Sequence, residues 1–193
     1  MELREDITEF VRIRIALGEE PAAAIVKRAV EHLEHEADPE TITSIGWQVV
    51  GQELATHTAA QATWADITDS DRLTLAFAAL DAHGVTARED FTCCQSCGQT
   101  EIGGEAAEDA RGYTFYHRQD AEGAASGGPL FLAYGTFGQV SDARIGAEIV
   151  AELHRQGLDA EWNGDVGRRI KVPMRWQRRR TGDLAELPPP GLR

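Results

Sequence analysis

Apolar side chains recur at three- and four-residue spacing through the first third of the chain: Leu3, Ile7, Phe10 and Val11, then Ile25, Val26, Ala29, Val30 and Leu33, then Ile42, Ile45, Val49, Val50 and Leu54. That period places each set on one face of a helix. Gly18 ends the first helix, Pro21 suits the first turn of the second, and Asp38-Pro39 reads as a cap and opening proline for a third that runs to about Trp64. Gly46 and Gly51 each cost that third helix about 1 kcal/mol relative to alanine, which marks them as places of close packing. Residues 1–64 therefore form a helical N-terminal region, a small antiparallel bundle.

From residue 65 the pattern changes. Thr68 and Asp71 have the spacing of a capping box ahead of a helix that buries Leu73, Phe77 and Leu80 and stops at Gly84. Residues 85–91 read as a strand, and 103–111 as a polar loop. Residues 113–117 and 130–134 read as two more strands, an antiparallel pair joined by the small-residue loop 122–128. Ser141-Asp142 caps a last helix through Ile145, Ile149, Val150 and Leu153, closed by Gly157. Residues 158–162 and 169–177 read as strands around a turn at Asn163-Gly164, the second with Ile170, Val172, Met174 and Trp176 on one face. A weak repeat, helix end then glycine then strand start, relates residues 80–88 to 153–161. The expectation is an α+β domain over 65–180: a mixed sheet of about five strands with helices packed on one face, ferredoxin-like or related. Residues 181–193, with Pro188-Pro189-Pro190, read as a flexible tail.

Seven motifs, spread over residues 63–180, carry a resemblance. They are Thr63-Trp64, Asp69-Ser70-Asp71-Arg72-Leu73, Phe91-Thr92-Cys93-Cys94-x-x-Cys97-Gly98, Gly112 to His117 with Gln119-Asp120, Leu132 to Gly135, Glu161 to Asp165, and Trp176 to Arg180. Together they resemble an uncharacterised bacterial domain family of unknown function. The resemblance implies a shared fold and marks these motifs as its signature, and it implies no reaction.

Charge narrows the partners. A formal net charge of −13 argues against general nucleic-acid binding, because a polyanion is repelled over most of the surface. Residues 168–180 nevertheless carry Arg168, Arg169, Lys171, Arg175, Arg178, Arg179 and Arg180 without one acidic side chain. The plainest reading of this basic edge is a solvated strand face; the alternative is a site for phosphate, RNA or an acidic partner. The charged start of the chain has no leader-like apolar run, and no apolar segment reaches bilayer length, so the expected place is the cytoplasm.

All three cysteines fall between positions 93 and 97. Cys94-x-x-Cys97-Gly98 has the spacing of a zinc knuckle, with Cys93 as third ligand and His117 as fourth, His83 being next in line. Adjacent cysteines diverge on an extended backbone, so Cys93 and Cys94 can share an ion only if the chain bends. The same pair can cycle between dithiol and disulfide, but Gly98 to Gly104 is a poor helix start of the kind that activates such thiols. A Cys–His nucleophile with His117 and Asp120 is a third option, and partly buried packing of the cysteines is the plainest. Tyr116, Gln119 and Asp120, with Trp162, Asn163 and Asp165, are candidate ligand-binding residues; a strand end and a turn account for them equally simply. His32-x-x-His35 lies among Glu31, Glu34 and Glu36 and reads as a solvated helix face. No phosphate-loop, dinucleotide, zinc-protease or serine-hydrolase signature is present. The expected function is a binding or regulatory domain, with a structural zinc at the cysteine loop and a protein or small-molecule partner. A thiol-dependent redox protein or enzyme is the alternative.

Overall fold

The computed structural model describes residues 2–188. It divides into two compact units, one made of the chain up to Asp66 together with the chain from Gln177 onward, the other of Ile67–Trp176.

In the first unit three helices follow the apolar stripes: α1 (Glu2–Leu17), α2 (Ala22–Leu33) and α3 (Pro39–Gln61). Asp38 caps α3 by accepting from the Thr41 N–H at 2.9 Å, and Gly46 lets the backbone approach Val26, where a Cβ would sit 3.4 Å from the valine side chain. Ile7, Val11, Ile25, Ala29, Val50 and Leu54 are among the residues filling the core between them. Arg4 reaches Gln48 and Arg12 reaches Glu53, so α1 and α3 run side by side in the same sense. The returning C-terminal segment completes this unit. Arg180, 3% exposed, donates to the carbonyls of Ile15, Glu20 and Leu184, while Gln61 exchanges two hydrogen bonds with the Arg180 backbone. At the end of α1 the Ile15 carbonyl accepts from the Gly18 N–H at 3.1 Å, and the guanidinium adds a second, charged donor to the same oxygen. The arginine run is thus partly a buried cap and not a solvated strand face. Of the expected tail, Gly182–Ala185 form a 3₁₀ turn, and residues 189–193, with Pro189 and Pro190, lie outside the described residues.

In the second unit α4 (Asp69–Ala82) starts from the full capping box of Thr68 and Asp71 and leads through Gly84, at φ +78°, into β1 (Val85–Arg88). Then come α5 (Gln95–Glu101), a 3₁₀ turn (Ile102–Glu105), β2 (Gly112–Phe115), α6 (Arg118–Ala125), β3 (Leu130–Thr136), α7 (Asp142–Arg155) and β4 (Ile170–Val172). The sheet has four strands among the described residues, in the order β1-β2-β3-β4, with β1 and β2 parallel and the other pairs antiparallel. Five strands and a ferredoxin-like order were expected, and both are corrected. Residues 158–162 contribute only the single bridge of Glu161 to Lys171, because the turn after Trp162 closes on itself through Asp165. β4 stops at Val172 because Pro173 has no N–H to continue a ladder. The expected loop at 122–128 is largely α6, and β2 joins β3 through that helix.

Helices also cover both faces of the sheet and not one. Gly112 faces α7, where an added Cβ would lie 2.7 Å from Ile145, whereas Phe115, three residues on, faces α5, with Gly98 against its ring. Buried Leu130, Leu132, Ile170 and Val172 lie on the α7 side. On the other side α5 and the 3₁₀ turn roof Phe115, Tyr113, Phe91 and Ala133 through Ile102, and the alternation of β3 and β4 places Phe131, Arg169 and Lys171 there as well.

Candidate functional site

The cysteines sit where the chain leaves β1 and turns into α5. Asp90 and Thr92 both take the left-handed conformation, at φ 47° and 62°, which side-chain-bearing residues adopt only when their surroundings hold them there. Here the surroundings are specific. Phe91 N–H donates to Tyr116 C=O at 2.8 Å, Arg118 N–H to Thr92 C=O at 3.1 Å, and the Arg118 guanidinium meets Asp90 at 2.6 Å. The loop is therefore pinned to the end of β2 and the start of α6.

This turn supplies the bend that adjacent cysteines need. Cys94 is extended, at φ −154° and ψ 169°, and is the N-cap of α5, so Cys97 occupies the third helical position, the spacing at which a cap residue and its partner meet. Cys93 lies four residues before Cys97, with their sulfurs 3.6 Å apart, and all three sulfurs fall within 4.8 Å of one another. α5 forms despite its weak sequence because Gly98 fits beneath the Phe115 ring, where a Cβ would come within 2.4 Å of the ring carbons. Tertiary packing overrides propensity at this point.

The three thiols are free and partly or fully exposed. Their protons are not equivalent. No side chain caps α5 in the strict sense, yet the Cys97 backbone N–H faces the Cys94 sulfur and, ahead of the Cys97 and Cys93 thiols, holds Cys94 below the ordinary thiol range. Hydrogen bonds with Cys93 and then Cys94 keep the proton on Cys97 and push it up to about 11. A cluster of this kind gives up one proton readily and holds its last one until a cation compensates the charge.

The other expected ligands lie elsewhere. No further His, Cys, Asp or Glu among the described residues joins the group. His117, 5% exposed, is the N-cap of α6: its Nδ1 accepts from the Asp120 N–H at 3.4 Å, and its Nε2 lies 3.0 Å from Asp120 Oδ2 and 3.3 Å from Arg169 Nη1. Asp120 also receives Arg169 through both oxygens, at 2.7 and 2.9 Å. His83 uses Nδ1 on the Ala79 carbonyl, His32 stacks on Phe10, and His35 is exposed beside Glu34. Tyr116 is core, 1% exposed, packed edge-on between Phe77 and Trp176 with its hydroxyl on Glu89. Gln119 is exposed. Trp162 and Asn163, with Phe131, Glu161, Arg168, Arg169 and Lys171, line an open cleft of about 640 Å³, and Asp165 holds the turn behind it. Sequence reasoning missed Phe131, although its place between buried Leu130 and Leu132 signals the opposite face.

Fold and site together define a small α+β domain, helical at its N-terminus, that displays a cluster of three thiols able to hold a metal ion. The chain belongs to the family described as Domain of unknown function (DUF6891), matched over residues 1–180, so the N-terminal helices are part of the family's domain along with the segment that carries the motifs. Comparison with curated proteins and with solved structures returns no match. No helix of the described residues is long and apolar enough to cross a membrane.

Proposed function

We propose that the protein is a cytoplasmic binding or regulatory domain whose Cys93, Cys94 and Cys97 hold a soft metal ion, zinc in the first instance. The observation that carries this reading is the convergence of three sulfurs within 4.8 Å. Tetrahedral zinc with bonds of about 2.3 Å sets its sulfurs about 3.8 Å apart, so small rotations of exposed side chains complete the set. A cation also resolves the unequal protonation, because it binds thiolates and makes loss of the third proton favourable. With His117 committed to Asp120, the fourth position falls to water or to a group brought by a partner. A bound ion would tie the loop after β1 to α5 and fix the surface presented to that partner.

A second reading rests on Cys94. It stands at a helix start with its thiol below the ordinary range, as in dithiol redox proteins, so a reversible disulfide with Cys97 is its alternative chemistry.

Metal content per chain decides between them, measured on untagged protein purified under reducing conditions beside the Cys94→Ser/Cys97→Ser variant. About one zinc per wild-type chain, lost in the variant, is the expected result. Metal-free protein that also fails to take up added zinc, but whose two thiols oxidise and reduce reversibly, would replace the first reading with the second.

A further inference from the structure

The cleft over β3 and β4 is a separate feature from the thiol cluster. On the α5 side of the sheet, the helix and 3₁₀ turn roof the β1–β2 half, while Phe131, Arg169 and Lys171 face an open cleft closed at its rim by Glu161, Trp162, Asn163 and Arg168. Its volume of about 640 Å³ lies in the range of small-molecule sites, about 300–1,000 Å³. Phe131 forms its aromatic wall, and the polar groups are mostly donors.

Those donors are positioned. Arg169 is fixed from behind by the fork of Asp120, itself buried and held by His117, and its guanidinium lies over the Phe131 ring at 5.2 Å. A guanidinium held flat in this way offers a stacking surface and keeps its Nε–H for another acceptor. Asn163 spends its Oδ1 on the Asp165 N–H, which leaves the Nδ2 donors for a ligand. Lys171 meets Glu161 at 2.9 Å and Arg168 meets Asp165 only at 3.5 Å, with 42% and 75% of their side chains exposed, so both ammonium and guanidinium can turn to an incoming anion. Three cations line the cleft, Arg169 paired with buried Asp120, Lys171 with Glu161 and Arg168 with Asp165, the last two in exposed pairs. Exposed pairs of this kind are worth little, so an oxyanion can take Lys171 and Arg168 from their partners. The Trp162 indole turns to the α7 side, with one edge against Gly146 and perpendicular to Tyr134, so it braces the rim from behind and Phe131 is the aromatic wall of the cleft.

We propose that this cleft binds a small organic anion that carries its phosphate or carboxylate on a planar ring: the ring rests on Arg169 beside Phe131, and the oxyanion is received by Arg168, Lys171 and Asn163. A mononucleotide and an aromatic carboxylate share this chemistry, and calorimetric titration separates them. Adenosine monophosphate, adenosine, inorganic phosphate and indole-3-carboxylate are titrated into the full-length protein, and into Arg168→Gln/Lys171→Gln, whose exposed side chains can change without disturbing the core. The expected result is one site for the nucleotide or the carboxylate, weakened roughly tenfold or more in the double variant. Adenosine and inorganic phosphate bind more weakly than adenosine monophosphate if the nucleotide is the true class. Circular dichroism of the variant confirms an unchanged fold. Absence of heat for both ring-bearing anions at millimolar concentration, or equal affinity in the double variant, would overturn the proposal; so would phosphate binding as tightly as the nucleotide.

Discussion

Cys94 and Cys97 are three residues apart and carry opposite influences on their protons, Cys94 held down and Cys97 pushed up to about 11. The thiolate is the reactive form, so limited alkylation at neutral pH should label Cys94 ahead of Cys97. Peptide mapping by mass spectrometry reads the order, and preferential labelling of Cys97 would contradict it. His117 offers a second test. Burial, ahead of the opposing pull of Asp120 and with help from Arg169, lowers its proton affinity below the ordinary histidine value. A histidine depressed in the folded state contributes stability that is present above the unfolded value, about 6.5, and is lost as pH falls from there through the folded value. Protonation would also put a hydrogen on Nδ1 where the Asp120 N–H now donates. Urea midpoints should therefore drop between pH 7.5 and pH 5, and drop less in His117→Asn, which keeps a capping side chain but has nothing to titrate. None of this was legible from residue type: a histidine on an alternating apolar stretch reads as a candidate ligand, and only the turn into α6 gives its ring another use.

Among the elements, those with strong local grammar match their sequence. Asp38-Pro39, Thr68 with Asp71, and Ser141 each cap the helix expected of them, since a cap is a contact between residues three apart. Elements that depend on distant partners differ. α5 exists because Gly98 finds the Phe115 ring, and residues 158–162 fail as a strand because the Asp165 turn takes up the chain before a ladder can form. The three cysteines could be read as one cluster from spacing alone; the bend that joins Cys93 to the other two could not, because left-handed Thr92 is held by the Arg118 N–H far along the chain. If α5 depends on that contact, Gly98→Ala should cost about 1–3 kcal/mol through overpacking against Phe115. The same substitution should weaken zinc binding by moving Cys97 away from Cys93. A thermal melt and a zinc titration of the variant test both; wild-type behaviour in each would show that the glycine is dispensable.

At the scale of the whole molecule, the division of the chain is the main result that sequence pattern does not disclose. Periodicity separates helices from strands near residue 65, but nothing in the composition of residues 177–188 says that they complete the first unit. The contacts responsible are between Arg180 and the carbonyls of Ile15 and Glu20, invisible until the chain is folded. Arg180→Ala removes a buried charged donor from the carbonyls of Ile15, Glu20 and Leu184, a loss of about 1–3 kcal/mol. Hydrogen exchange in α1 and α3 should accelerate in that variant while the sheet of the second unit keeps its protection; uniform acceleration would mean the arginine serves more than its own unit. The discontinuity also bears on how the protein is made. A ribosome delivers α1, α2 and α3 first, yet Arg180 cannot emerge until all of Ile67–Trp176 has been synthesised. At roughly 5–20 residues per second, the newborn helices spend several seconds or more without the Arg180 guanidinium at the end of α1, an interval in which a nascent chain is open to chaperones and proteases.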